Sequence, residues 1–350
     1  VCEQIRKEYL PSELPIIMVT AKNQVQDLVQ GLTLGANDYI SKPFTKQEFL
    51  ARVKTQLNLH RIHQTTEKFI PNEFLRFLGK SNITEIALGD NTQREVTVFF
   101  SDIRAYTSLS EQMSPDDNFR FVNAYNRRMG PIIQQHNGFV NQYLGDGIMA
   151  IFTQSPVDAL RAAIQMQLTL QEYNQKRIVD GRRTIEVGMG MHTGDLIMGI
   201  IGDTNRLDAA TIADSVNAAA RIENLSKHFG TSILLSEACL AKIENQSAFN
   251  FRYLGQVQVK GKQQILKIHE CFDGDTPESI TLKQATLADF SSGIAAYFAK
   301  EFIQAAVAFE KVLKQNPADK TATLFLKKAT QLVSNGVSDD WTGVERLEKE

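Results

Sequence analysis

The chain has 350 residues, which at roughly 150 residues per domain predicts two or three domains, and 43% hydrophobic with 22% charged residues suits a protein that buries a real core. Lys and Arg number 38 against 40 Asp and Glu, a formal charge of −2, which excludes a whole-chain nucleic-acid binder because that needs a basic surplus to meet phosphates. Cys2, Cys239 and Cys271 are odd in number and scattered, so they predict neither a disulfide framework nor a zinc cluster. The histidines also stand apart, as surface or packing residues do. No apolar run reaches the ~18 residues of a membrane span, and no signal peptide opens the chain. The sequence reads as cytoplasmic, and its start at Val1 as that of a fragment.

In chain order, Ile16 to Val19 is a continuous apolar run, the pattern of a buried parallel strand. A helical stretch from Gln24 to Leu34 follows, closed by Gly35, and then a short strand at Asp38 to Ile40, ended by Lys42-Pro43. Thr45 to Leu59 is a second amphipathic helix, completing a βαβα unit of the doubly wound α/β kind. Pro15-Ile-Ile-Met-Val-Thr20-Ala and Leu34-Gly-Ala-Asn-Asp-Tyr-Ile-Ser-Lys42-Pro43-Phe resemble the C-terminal half of a response-regulator receiver domain, over 1–60. The resemblance implies that Thr20 and Lys42 form the receiver switch and that the Lys42–Pro43 bond is cis. It places the phosphorylated aspartate upstream of Val1, with an upstream histidine kinase or phosphorelay as input.

Residues 61–93 read as a helical linker, in which Pro71 to Leu78 forms a short helix whose Ile70, Phe74 and Phe77 make an apolar stripe. From 94 to 272 the pattern is strand (Val96 to Phe100), helix (115–135), strands Phe139 to Tyr143 and Ile148 to Phe152 around Gly145-Asp146-Gly147, helix (Val157 to Tyr173) and strand (Ile185 to Met191). A helix near Ser215 to Ser226 and short strands near Ile233 and at Val257 to Lys260 complete it. That order predicts an α+β, ferredoxin-like fold. The segment 281–336 is helical, and Phe302-Ile-Gln-Ala-Ala-Val-Ala-Phe with Asn316-Pro317 resembles a tetratricopeptide-type (TPR) hairpin. A single repeat cannot bury its own face, so it has to pack on the central unit, on its own copy or on a partner. Residues 337–350 read as a polar tail.

Two carboxylates stand out. Asp102 follows an apolar strand and Asp146 sits at a Gly-Asp-Gly hairpin tip. In a ferredoxin-like sheet these points lie side by side and form a hard oxygen site suited to magnesium; taken singly, each is as well explained as a turn aspartate. Asn217 and Arg221, at i,i+4, share one helix face that the intervening alanines leave open, as a ribose and a polyphosphate require or as any solvated face allows. Lys260, before Gly261, stands where it reaches a phosphate or simply closes a turn.

The ordered set Glu95-Val-Thr-Val-Phe-Phe-Ser-Asp102-Ile-Arg-Ala-Tyr-Thr, Tyr143-Leu-Gly-Asp146-Gly, Gly190-Met-His-Thr-Gly194, Asp214-Ser-Val-Asn217-Ala-Ala-Ala-Arg221 and Val259-Lys260-Gly-Lys resembles a class III nucleotide cyclase catalytic domain. The lead-in Phe69-Ile-Pro-Asn-Glu-Phe-Leu resembles that of bacterial receiver-linked adenylate cyclases. The resemblance implies two ions of Mg2+ or Mn2+ per site held by Asp102, Asp146 and the carbonyl of Ile103. It also implies catalytic roles for Asn217, Arg221 and Lys260, ATP as substrate, and a homodimer with its sites at the interface. At the adenine-reading positions, where the family usually carries a lysine and an Asp or Thr, this chain has Gln142 and Ala210, with Thr211 adjacent. An alternative is a catalytically weak or base-relaxed homologue used as a dimeric signalling module.

Overall fold

The computed structural model describes every residue except Leu10, 22–24, Ser81, 259–264, 339–340 and 347–350. The chain forms two units, Val1–Glu85 and Ile86–Glu350.

In the first unit, α1 (Cys2–Ile5) precedes β1 (Ile17–Thr20). That strand pairs in parallel with β2 (Asp38–Ser41), and α2 (Val25–Thr33) makes the crossover. The Arg6 guanidinium ties α1 to this crossover by donating to the carbonyls of Gly35 and Leu14. Next, α3 (Lys46–Glu67) starts at Thr45, whose hydroxyl accepts from the Glu48 N–H. It runs past the expected end at Leu59. The short α4 (Asn72–Phe77) buries Phe74 and Phe77, as the apolar stripe requires.

The second unit is built on one mixed sheet. Its strands are β3 (Asn91–Ile103), β4 (Gly138–Leu144), β5 (Gly147–Phe152), β6 (Val187–Gly202), β7 (Leu207–Ile212), β8 (Ile233–Ser236), β9 (Phe251–Gln258), β10 (Ile265–Cys271) and β11 (Glu345–Arg346). They lie in the order β11-β9-β10-β8-β6-β3-β5-β4, with β7 hairpinned onto β6. The helices are α5 (Tyr106–Ser110), α6 (Pro115–Gln135), α7 (Pro156–Val179), α8 (Asp214–Phe229), α9 (Glu237–Leu240), α10 (Pro277–Phe298), α11 (Phe302–Gln315) and α12 (Lys320–Asn335). The long β3–β6 ladder, from Asn91 opposite Gly199 to Ile103 opposite Val187, is the spine. Sequence pattern captured its two strands only in part, because polar residues at the outer ends of both break the apolar run. The hairpin partner β7 and the strand β10 carry the same mixed pattern and were not expected.

Two cores flank this sheet. On one face Phe99 and Ile103 pack with Tyr125 and Met129 of α6 and with Leu160 and Met166 of α7. On the other, Ile222 and Leu225 of α8 join Leu254 of β9 and Ile268 of β10, and Phe290, Phe309 and Phe325 of the last three helices close over them. The helical segment thus packs on its own sheet. The expected polar tail also differs: Trp341 stacks edge-on against Tyr297 and Phe302, and β11 pairs with β9. The Trp341 ring and the Glu345 carboxylate, paired with His228 at 2.8 Å and with Lys328, hold it there.

Close approach of α8 to β6 depends on glycine. A Cβ on Gly190 would lie 2.1 Å from the backbone nitrogen of Glu223, and one on Gly188 would lie 2.9 Å from the Glu223 carboxylate. Any larger residue has to push the helix off the sheet.

Candidate active site

Asp102 and Asp146 come together at one end of the sheet. Asp102 is the penultimate residue of β3, opposite Gly188, and Asp146 occupies the turn between β4 and β5. A Cβ built on Gly147 would stand 3.1 Å from Oδ1 of Asp102, so the glycine leaves open the space in front of the pair. Burial pushes the Asp102 carboxyl up to about 6, and the charge of Asp146 and the hydrogen bond between the two carboxyls add to the rise. The Ile103 N–H opposes it by donating to Asp102. Burial raises Asp146 as well.

The chemistry of the pair suits a hard cation. Two partly buried carboxylates that repel one another, beside a space that a methyl group would fill, fit a divalent ion. Among the described residues no group of three or more His, Cys, Asp or Glu side chains is placed to hold a metal. The side-chain donors brought together there are the two aspartates.

Glu223 is a third acidic group that the sequence did not single out. It stands over Gly188, and burial pushes its carboxyl up to about 8, with the charges of Asp102 and Asp146 raising it and Arg104 lowering it. The Tyr125 phenol beneath is raised chiefly by burial, and the same three carboxylates push it further. Nothing in the sequence separates Glu223 from a solvated helix residue; its burial follows only from the glycines of β6. A folded value of about 8 lies above the ordinary 4.5 of a glutamate, so its stabilising contribution is complete below about pH 4.5 and is lost as pH rises through about 8. Glu223→Gln is expected to match the parent chain near pH 5 and to exceed it in Tm near pH 9 by several degrees, since each tenfold change in proton affinity is worth about 1.4 kcal/mol. Metal-free thermal unfolding across that range checks it; an identical pH profile for both chains would refute the placement.

Asn217 lies elsewhere. The Ser215 hydroxyl donates to the carbonyl of Asp195 at 2.7 Å, whereas Glu223 lies over Gly188 and Gly190, so α8 runs antiparallel to β6. Asn217, exposed near the N-terminus of α8, is therefore roughly 15 Å along the strand from the level of Asp102. Arg221, half-buried, stands one turn further on. Within one chain the aspartate pair and Asn217 do not meet. Gln142 is exposed on β4, opposite Met149. On β7, Ala210 pairs with Gly199 and Thr211 with Met198, so the two point to opposite faces of the hairpin. Only one of them can meet a given base. Lys260 lies outside the described residues. In the first unit, the Lys42 N–H donates to the Thr20 carbonyl at 2.8 Å, and the Lys42–Pro43 bond is cis.

The family model for the adenylate and guanylate cyclase catalytic domain matches residues 89–270, which takes in both aspartates and the whole of α8. The chain belongs to this cyclase family. Residues 1–54 match the response regulator receiver domain model. The chain is 39% identical over 224 residues to an adenylate cyclase of Anabaena cylindrica, covering 61% of this chain and 45% of that protein. It is 32% identical over 278 residues to the terminal-differentiation-specific adenylate cyclase of Dictyostelium discoideum, covering 77% of this chain and 13% of that one. Thus the chain spans less than half the length of these curated relatives. A bacterial light-regulated adenylyl cyclase of solved structure shares the fold, with a TM-score of 0.58 at 21% identity over 69% of each chain. The cyclase fold is mixed α+β, with the partial receiver ahead of it and a helical segment behind. Among the described residues no helix is long and apolar enough to cross a membrane.

Proposed function

We propose that this cyclase-family chain is an adenylate cyclase that converts ATP to 3′,5′-cyclic AMP and pyrophosphate as a homodimer. One observation carries the reading: Asp102 and Asp146 stand together at one end of the β3–β6 ladder while Asn217 is held toward the other end. A site that needs both sets is completed by a second copy. The exposed apolar side chains of Ile197, Ile201 and Ile212 on the β6–β7 hairpin support pairing of copies. The names of the relatives support adenine as the base.

Asp102 and Asp146, with the carbonyl of Ile103, would hold Mg2+ or Mn2+. When bound, the ions supply charge to neutralise the triphosphate and to acidify the ribose 3′-hydroxyl. From the partner chain, Asn217 orients the ribose for in-line attack on the α-phosphorus, and Arg221 and Lys260 meet the charge that develops as pyrophosphate leaves. Gln142 and either Ala210 or Thr211 face the base. A relaxed base preference is the second reading, favoured by the absence of any polar group on Ala210. On the same reading 94–272 is the catalytic domain, 61–93 the linker and 281–336 a TPR-like appendage. Thr20 and Lys42 form the receiver switch, fed by an upstream kinase.

The test is parallel incubation with ATP, GTP, CTP and UTP in the presence of Mg2+ or Mn2+, with cyclic products quantified. Cyclic AMP as the main product is expected; another cyclic nucleotide would overturn the substrate, and no product from a verified dimer would overturn the enzyme. Mixing tests the shared site. Asp102→Ala and Arg221→Ala chains, each inactive alone, are expected to recover up to about a quarter of parental activity when mixed, because random pairing gives half mixed dimers with one intact site each. Mixed dimers without activity would refute the arrangement.

A further inference from the structure

Away from the aspartate pair, a cavity of about 470 Å³ lies at the seam between the catalytic sheet and the helical segment. One wall comes from the core and includes Arg104 and Thr231; the other comes from the start of α10 and includes Asp275 and Glu278. Nothing in the cyclase reaction uses it, and its volume falls within the usual range for small-molecule sites.

The core wall is short of acceptors. The Arg104 guanidinium donates to Glu186 at 3.2 Å, to the Ser226 carbonyl at 3.1 Å and to the Thr231 carbonyl, yet its Nε has no partner. The Thr231 hydroxyl, on a residue 2% exposed, has none either. Each unmet buried polar group costs about 1–3 kcal/mol. Two on one wall are an excess that folded proteins do not ordinarily leave without a ligand, ion or water. Rotation about χ1 exchanges the Thr231 hydroxyl with its methyl, so the hydroxyl can turn toward a bound oxygen.

The opposite wall is rich in acceptors. Asp275 receives Lys283 at 2.6 Å and the Ser279 hydroxyl at 3.0 Å, and Glu278 beside it is exposed. Cationic and acidic side chains line the cavity in equal number. A simple anion would sit against Asp275 and Glu278, and a simple cation against Arg104. A ligand with both charges matches both walls.

We infer that this cavity binds a small zwitterion of amino-acid size, its carboxylate on Arg104 and Thr231 and its ammonium on Asp275 and Glu278. Arg104 follows Asp102 and Ile103 directly in the chain, so a ligand there braces the end of β3 against α10.

Calorimetric titration of the whole chain with the common L-amino acids, one at a time, tests this, with acetate and methylamine as singly charged probes. The expected result is one-to-one binding of at least one amino acid and a rise in Tm on adding it. Glu278→Gln, an exposed change that leaves the fold intact, and Thr231→Val are each expected to weaken that binding about tenfold, or about 1.4 kcal/mol. The inference is overturned if no amino acid binds at millimolar concentration, if neither substitution weakens binding, or if acetate or methylamine binds as well as the amino acid.

Discussion

Asp102→Ala is expected to lower cyclic nucleotide formation by about three orders of magnitude or more, because preorganised charge at the reacting phosphate is among the largest single contributions to such catalysis. The proposed dimer is expected to stay intact, since Asp102 is only partly buried at the end of β3, where burial and Asp146 raise its carboxyl. The metal-free variant is expected to melt no lower than the parent: one of two repelling carboxylates has gone. Adding Mn2+ provides the decisive comparison. It raises the Tm of the parent by linkage and leaves that of the variant unchanged. Near-full turnover by Asp102→Ala, or an equal Mn2+ shift in both chains, would remove Asp102 from the metal site.

A second substitution far from that site is expected to have the largest effect on stability. Arg252 of β9 is 2% exposed and bonds Glu270 of β10 and, at 2.5 Å, Asp319 at the start of α12, both of whose side chains are fully buried. Its guanidinium also covers the Phe290 ring at 4.3 Å and donates to the Thr321 hydroxyl at 3.1 Å. Lys283 of α10 reaches Glu270 at 2.7 Å. Burial alone would raise the Glu270 and Asp319 carboxyls, but the cations around them hold both below their ordinary values. Arg252→Met leaves two buried carboxylates with Lys283 as their main counter-charge. The expected loss is about 3–5 kcal/mol, a fall in Tm of roughly 10 °C. Adding Glu270→Gln to Arg252→Met is expected to restore part of it, since the cost lies in the stranded charge and not in the missing contact. Limited proteolysis is expected to release α10–α12 from the single variant first. An unchanged Tm would show that this buried network adds nothing to stability.

What the sequence revealed and what it withheld divide along physical lines. Gly145-Asp146-Gly147 and the run Val96 to Phe100 are local signals, so the hairpin, the strand and the meeting of Asp102 with Asp146 were legible. The β6–β7 hairpin was not, because Leu-Asp-Ala-Ala-Thr-Ile lacks a clean apolar alternation. Arg252, Glu270, Lys283 and Asp319 are spread over 67 residues in the chain, and no spacing rule links a strand arginine to a helix cap that distant. From sequence, the helical segment could pack on the central unit, on its own copy or on a partner. That it packs on its own sheet depends on those buried charges as much as on apolar surface.

The glycines of β6 have one more consequence. With hydrogen in place of a side chain at Gly188 and Gly190, α8 rests on the strand backbone, and the helix and the β3–β6 ladder form a single stiff beam. If each catalytic centre draws the aspartates from one beam and Asn217 from the other, neither half can be tuned by bending. Whatever turns such an enzyme on has to swivel whole beams past each other, and both centres then open or close in the same movement.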